Sequence, residues 1–167
     1  MQDDRRNKVI IMGAAGRDFH NFNVVFRNDP LTRVVAFTAA QIPDIAGRTY
    51  PPVLSGPLYP NGIPIVAESE LLSLIKRDRL NWVYFSYSDV SHQDVMHTAS
   101  TVLAAGANFA FLAPESTAIA PSKPVISVCA VRTGVGKSSA TCRIARFFLE
   151  RRRQVSVIRH PMPYGDL

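Results

Sequence analysis

The chain has 167 residues, 47% hydrophobic and 19% charged, with a formal net charge of +6 and a pI near 9.7. That balance excludes disordered, collagen-like and disulfide-scaffold classes and leaves enough apolar mass for a core. Apolar runs such as those at 9–12 and 125–126 are far too short to cross a bilayer, and the charged start Met1-Gln2-Asp3-Asp4-Arg5-Arg6 does not read as a signal peptide.

The basic excess is concentrated in Arg143, Arg146, Arg151, Arg152, Arg153 and Arg159. The first five fall on the outer face and C-terminal end of one expected helix, where cations suit the helix dipole. No aromatic residues interleave them as a nucleic-acid stacking platform requires. A solvated face, or one turned to anionic ligands or a partner, is expected rather than nucleic-acid or membrane binding. The two cysteines, Cys129 and Cys142, each fall in an expected regular element and read as reduced, buried residues of a cytoplasmic protein.

The elements follow in order. Residues 8–12 form a continuous apolar run, as a buried parallel strand does. Gly13-Ala14-Ala15-Gly16 breaks it. A helix over 19–27 follows and ends at Asn28-Asp29-Pro30. Strands are expected at 33–38 and, shorter, at 63–66. An amphipathic helix over 68–77 turns Leu71, Leu72, Leu74 and Ile75 inward. A strand at 82–85 leads to a helix over 91–105, opened by the capping-box-like Ser91-His92-Gln93-Asp94 and closed by Gly106. Residues 107–112 are the next strand. This rhythm predicts an α/β fold: a Rossmann-like parallel sheet with helices on both faces, over residues 1–120.

Two stretches interrupt the rhythm. Residues 39–62 hold Pro43, Pro51, Pro52, Pro57 and Pro60, and Tyr50 and Tyr59 offer a means of packing them down. A functional lid, a subunit contact and a plain structural excursion all fit. Residues 113–123, rich in Pro, Ser and Thr, read as a linker. A second unit over 121–167 then reads as the first β-α-β of a P-loop NTPase domain: a strand at 124–130, a helix over 137–151 with Ala140, Thr141, Ile144, Ala145 and Phe148 on one face, and a strand at 154–158.

A phosphate-binding loop needs glycines that let backbone N–H groups converge, a lysine for the outer phosphates, a hydroxyl for Mg²⁺ and a helix starting at the site. Gly134-Val135-Gly136-Lys137-Ser138 supplies these in order. The first glycine of G-x-x-x-x-G-K-[ST] is replaced by Val131. The run from Arg132 instead looks like the deviant P-loop K-G-G-x-G-K-[ST], with Arg132 at the extra lysine. In that class the extra cation reaches a nucleotide across a dimer interface, so a homodimer is expected. The nucleotide set is Arg132, Thr133, Gly134, Val135, Gly136, Lys137, Ser138 and Ser139. Lys137 is the catalytic candidate, Ser138 the Mg²⁺ ligand, and ATP or GTP the nucleotide.

The earlier turn, Gly13 to Gly16, has a Rossmann-like position without the full G-x-G-x-x-G, and no acid closes the strand at 33–38. Gly13, Gly16, Arg17, Asp18 and His20 are the substrate candidates: Arg17 as a clamp for phosphate or carboxylate, His20 as an acid or base. Equally, Asp18 serves as a helix cap and His20 as a solvated first-turn residue. His92 and His97 do not share a helix face as a metal pair would. Arg159 and His160, in a proline-bent turn, are candidates for a wall of the phosphate site.

Together, Met12-Gly13-Ala14-Ala15-Gly16-Arg17-Asp18-Phe19-His20-Asn21-Phe22, Gly47-Arg48-Thr49-Tyr50-Pro51-Pro52, Gly62-Ile63-Pro64-Ile65, the run 132–138 and the run 159–167 resemble the cyclic 2,3-diphosphoglycerate synthetase family. The resemblance implies an N-terminal Rossmann-like domain and a P-loop domain. It implies ATP-dependent, Mg²⁺-assisted activation of a phosphoglycerate, followed by closure of a cyclic phosphoanhydride. In that scheme Lys137 neutralises the outer phosphates, Ser138 holds Mg²⁺, and Arg17 and Arg159 grip the acidic substrate. Family members are much longer. The acid that helps hold Mg²⁺ belongs on a later strand, so the chain reads as an N-terminal fragment, inactive alone. Two other readings remain: a GTP-driven switch or metallochaperone, and a non-catalytic module binding a phosphorylated metabolite.

Overall fold

A computed structural model describes residues 6–14, 16–40, 45–88, 90–129 and 135–158. The chain divides into two compact units, Met1–Ala118 and Ile119–Leu167.

The first unit is built on β1 (Asn7–Met12), whose last four residues are buried. It pairs in parallel with β2 (Thr32–Ala39) on one side and β5 (Trp82–Phe85) on the other. β4 (Ile63–Ala67) adds beyond β2, and β6 (Asn108–Ala110) beyond β5, both parallel. A two-residue strand, β3 (Thr49–Tyr50), pairs antiparallel with β4, giving the order β3-β4-β2-β1-β5-β6. Without β3, the parallel strands run third, second, first, fourth, fifth. That is a doubly wound order, reversing between β1 and β5. The fold is therefore the expected mixed α/β sheet with helices on both faces.

Side chains alternate along a strand, so β1 feeds two cores. Val9 and Ile11 enter one with Phe22, Phe26, Phe37, Tyr50 and Tyr59. Ile10 and Met12 enter the other with Leu71, Leu74, Ile75, Val83 and Val102. The first core lies under α1 (Arg17–Asn21), which starts two residues before the expected helix and widens into a π-helix, Phe22–Phe26. Its closing bond runs from the Arg27 N–H to the Phe22 carbonyl at 2.8 Å. The second core is covered by α3 (Leu71–Asp78), entered through a 3₁₀ turn at Glu68–Glu70, and by α4 (His92–Ala104). Ser91 caps α4, accepting the Asp94 N–H at 3.1 Å. Leu72, expected to point inward, is 41% exposed. It lies off the stripe formed by Leu71, Leu74 and Ile75, which already fills the space against the sheet.

The described part of the proline-rich stretch carries β3 and a one-turn helix, α2 (Pro52–Ser55). Its tyrosines belong to the core. Tyr50 stacks on Phe19 with ring centroids 4.7 Å apart, and Tyr59 meets the edge of Phe22 at 5.2 Å. The Tyr59 hydroxyl also accepts the Val34 N–H at 3.1 Å. These anchors pack the described part of the stretch onto the first core. The expected strand at 107–112 is shorter, and part of the expected linker folds as α5 (Pro114–Thr117) within the first unit.

The second unit contains α6 (Lys137–Glu150). Thr141, Ile144, Ala145 and Phe148 on its expected apolar face are half-buried, while Ala140 is exposed. The expected strands at 124–130 and 154–158 carry no ladder among the described residues; Val125 is 64% and Ile158 98% exposed. A strand exists through its neighbour's backbone bonds, and no described residue supplies them. Cys129 and Cys142, expected to be buried, are exposed for the same reason: no described layer covers them. Among the described residues, no helix is long and apolar enough to cross a membrane.

Candidate functional site

In a doubly wound sheet, ligands collect outside the carboxyl ends of the strands, where the strand order reverses. Here that place lies beyond Met12 and Phe85. β1 leaves through Gly13, whose N–H donates to the Thr38 carbonyl at 3.0 Å. Its φ of +126° is one that residues with a side chain rarely adopt, and a Cβ there would strike the Asp18 carboxylate. Asp18 is only 3% exposed. Its Oδ1 accepts the Gly16 N–H at 2.9 Å and the Phe19 N–H at 2.6 Å. Gly13, Gly16 and Asp18 thus meet at one turn.

Three residues beyond Asp18, on the same helical face, Asn21 is also buried. Its Nδ2 donates to Ser86 Oγ at 2.9 Å, and the Ser86 N–H donates to the Met12 carbonyl at 3.0 Å. The Asn21 Oδ1 is buried with no hydrogen-bond partner. Tyr87, the next residue, sends its hydroxyl across the end of β1 to β2: Thr38 Oγ1 lies 3.3 Å away and the Thr38 carbonyl 3.4 Å. The Glu68 carboxylate, whose Oε2 is buried without a hydrogen-bond partner, acts electrostatically on the same phenol. Burial above all, then that carboxylate, pushes the Tyr87 phenol well above its ordinary range.

Arg17 and His20 reach elsewhere. His20 Nε2 lies 2.7 Å from the Thr117 carbonyl, and Arg17 Nη2 donates to Thr117 Oγ1 at 3.5 Å. A carbonyl only accepts, so Nε2 carries the proton in this contact. Both side chains hold α5 against α1. Thr38, Glu68, Ser86 and Tyr87 were not singled out in the sequence. The signal that finds them is position: each stands at or just beyond the carboxyl end of a parallel strand.

In the second unit, Gly136 takes the left-handed conformation, with φ +93°, directly before α6. Lys137, Ser138 and Ser139 form the first turn, and the Ala140 N–H makes the first intrahelical bond, to the Gly136 carbonyl at 3.0 Å. Among the described residues no side chain caps this end, and no acid stands in its first turn. A positive helix end, an adjacent cation and two hydroxyls suit a polyphosphate, and a hydroxyl oxygen suits Mg²⁺. Val135, Lys137, Ser138 and Ser139 are all exposed. The candidates Arg132, Thr133, Gly134, Arg159 and His160 lie outside the described residues.

No protein-family model matches the chain. All 167 residues align at 56% identity with arginine synthetase ArcE of Thermococcus kodakarensis. The chain spans 37% of the length of that relative. Among solved structures, it is similar to RSP, a Rex-family repressor, at 13% identity and a TM-score of 0.49, covering 90% of this chain and 64% of that one. It is also similar to UDP-D-quinovosamine 4-dehydrogenase from Vibrio fischeri, at 18% identity and a TM-score of 0.48, covering 65% and 79%.

Proposed function

We propose that the chain supplies the phosphate-gripping part of an ATP-dependent ligase or phosphotransferase. The observation that carries this reading is the start of α6: a left-handed Gly136, then Lys137 and Ser138 at an uncapped helix end with no acid in its first turn. Lys137 offsets charge on the outer phosphates, and first-turn N–H groups orient them. Ser138 would hold Mg²⁺, which would offset charge on the phosphates. Arg132, as the extra cation, would act across a homodimer. The γ-phosphoryl group passes to a substrate oxygen, ADP departs, and a nucleophile then displaces phosphate.

The substrate is a small acidic molecule. The sequence resemblance implies a phosphoglycerate, closed on itself. The name of the 56% identical relative favours an amino acid, with arginine as product. Both are bond-forming steps driven by a nucleoside triphosphate, and the identity over the whole chain makes the second the preferred reading. Residues 159 and 160, and Arg17 if α5 moves, remain the substrate-side candidates.

The test is Mg²⁺-dependent binding of ATP and GTP to this chain and to Lys137→Ala. Binding lost at least tenfold in the variant supports the reading. Equal affinity in both proteins would sink it. A strong preference for GTP would favour a nucleotide switch, and metabolite binding retained without nucleotide binding would favour a non-catalytic module.

A further inference from the structure

The crevice at the carboxyl ends of β1 and β5 has the topology of a nucleotide site. In such a site the glycine turn after the first strand offers N–H groups to a pyrophosphate, and the end of the second strand holds the sugar. Both places are taken here by the chain itself. The Gly16 and Phe19 N–H groups, aimed into the turn, are spent on Asp18 Oδ1. The other carboxylate oxygen fills the space beside Gly13, which glycine leaves open. Among the described residues at the end of β2 no acid stands ready for a sugar hydroxyl, and Thr38 is engaged by the hydroxyl of Tyr87. Tyr87 starts from the end of β5 and passes over the end of β1 to reach it. Its position is further held by the Phe85 ring, 5.3 Å away edge to face.

We infer that Asp18 and Tyr87 determine specificity by exclusion: the carboxylate replaces a bound phosphate, the tyrosine bars the sugar's place, and the first unit rejects nucleotides. A pyrophosphate entering this turn would meet a buried carboxylate of its own sign, hydrogen-bonded to the N–H donors it needs, where burial weakens solvent screening of the repulsion. All nucleotide binding then falls to the loop before α6. The inference does not rest on the reading of that loop, because its test is made with the loop disabled.

The experiment uses the whole chain carrying Lys137→Ala, with inorganic pyrophosphate and NADH as probes, followed by calorimetry and NADH fluorescence. This protein should bind neither. Adding Asp18→Ser, whose hydroxyl still accepts one N–H of the turn, should raise pyrophosphate affinity at least tenfold. Asp18→Asn, which keeps the plug and removes only its charge, should gain less. A well-folded Asp18→Ser protein with no gain overturns the inference. So does binding of either probe with Asp18 intact, read as shifts of the Gly13 and Gly16 amide signals. That second measurement needs no variant at Asp18 and decides the matter if Asp18→Ser fails to fold.

Discussion

His20 Nε2 donates to the carbonyl of Thr117 at 2.7 Å, joining the first helix to a segment 97 residues later. With the Arg17 contact to the same residue, this bond ties α5 down. His20→Ala should therefore cost about 1 kcal/mol of stability, the net worth of one hydrogen bond. Amide exchange in residues 114–118 should speed up while the strands stay protected. Unchanged exchange there would show that α5 is held by other contacts.

Gly13→Ala carries two costs, a left-handed backbone and a Cβ against the Asp18 carboxylate. Together these should remove roughly 2–4 kcal/mol, as a strained φ plus a displaced buried carboxylate. In an Asp18→Ser background the worst clash, with Oδ2, disappears, while the Cβ at position 18, 3.2 Å away, remains. The cost of Gly13→Ala should then fall by about 1 kcal/mol or more, a coupling readable in a double-mutant cycle by urea unfolding. Strict additivity would mean the two residues do not touch.

The phenols of Tyr87, Tyr59 and Tyr84 are all raised, with burial as the leading cause. An acid whose folded pKa lies above its unfolded value keeps its full stabilisation below the unfolded value, about 10. As pH rises past 10, the unfolded chain loses these protons first, so stability should fall through the window up to the folded values. Tyr87→Phe should flatten that fall and, by removing the bonds to Thr38, cost about 1 kcal/mol at pH 7. Ultraviolet titration of tyrosinate alongside urea unfolding checks both; tyrosines all titrating together near 10 would contradict it.

Tyr50 is buried among Phe19, Phe22 and Phe37. Tyr50→Ala should cost roughly 3–5 kcal/mol, as for other large aromatic truncations in cores. It should also expose residues 45–62 to limited proteolysis before the rest of the unit is cut. Cleavage only after global unfolding would show that Tyr59 alone is a sufficient anchor.

Much of the first unit could be read directly. Val9 to Met12 is apolar on both faces, as only an interior parallel strand needs to be, and Gly106 closes α4 as expected. The π-helix could not be read, because Phe22 to Phe26 has ordinary helical composition; its extra residue is set by how Phe22 and Phe26 both reach the core. Leu72 misled because apolar character alone does not say which side of a stripe meets the sheet. At the glycine turn, Asp18 was legible as a residue of interest. Tyr87 was not, since its reach to Thr38 depends on strand order. In the second unit the strand-forming residues 125, 126, 157 and 158 are apolar and β-prone, yet strand formation depends on a neighbour that local sequence does not encode.

The placing of β1 has a consequence for how the chain is made. Its β2 edge is covered by residues that follow within one short helix, but the other edge waits for β5, as the bond between Lys8 and Asn81 across 73 positions shows. On a ribosome adding about 5–20 residues per second, that edge stands bare for roughly 4–15 s. A nascent chain stalled between β4 and β5 would present Val9, Ile10 and Ile11 beside an unpaired backbone, and would be a natural client for whatever shields sticky polypeptide as it emerges.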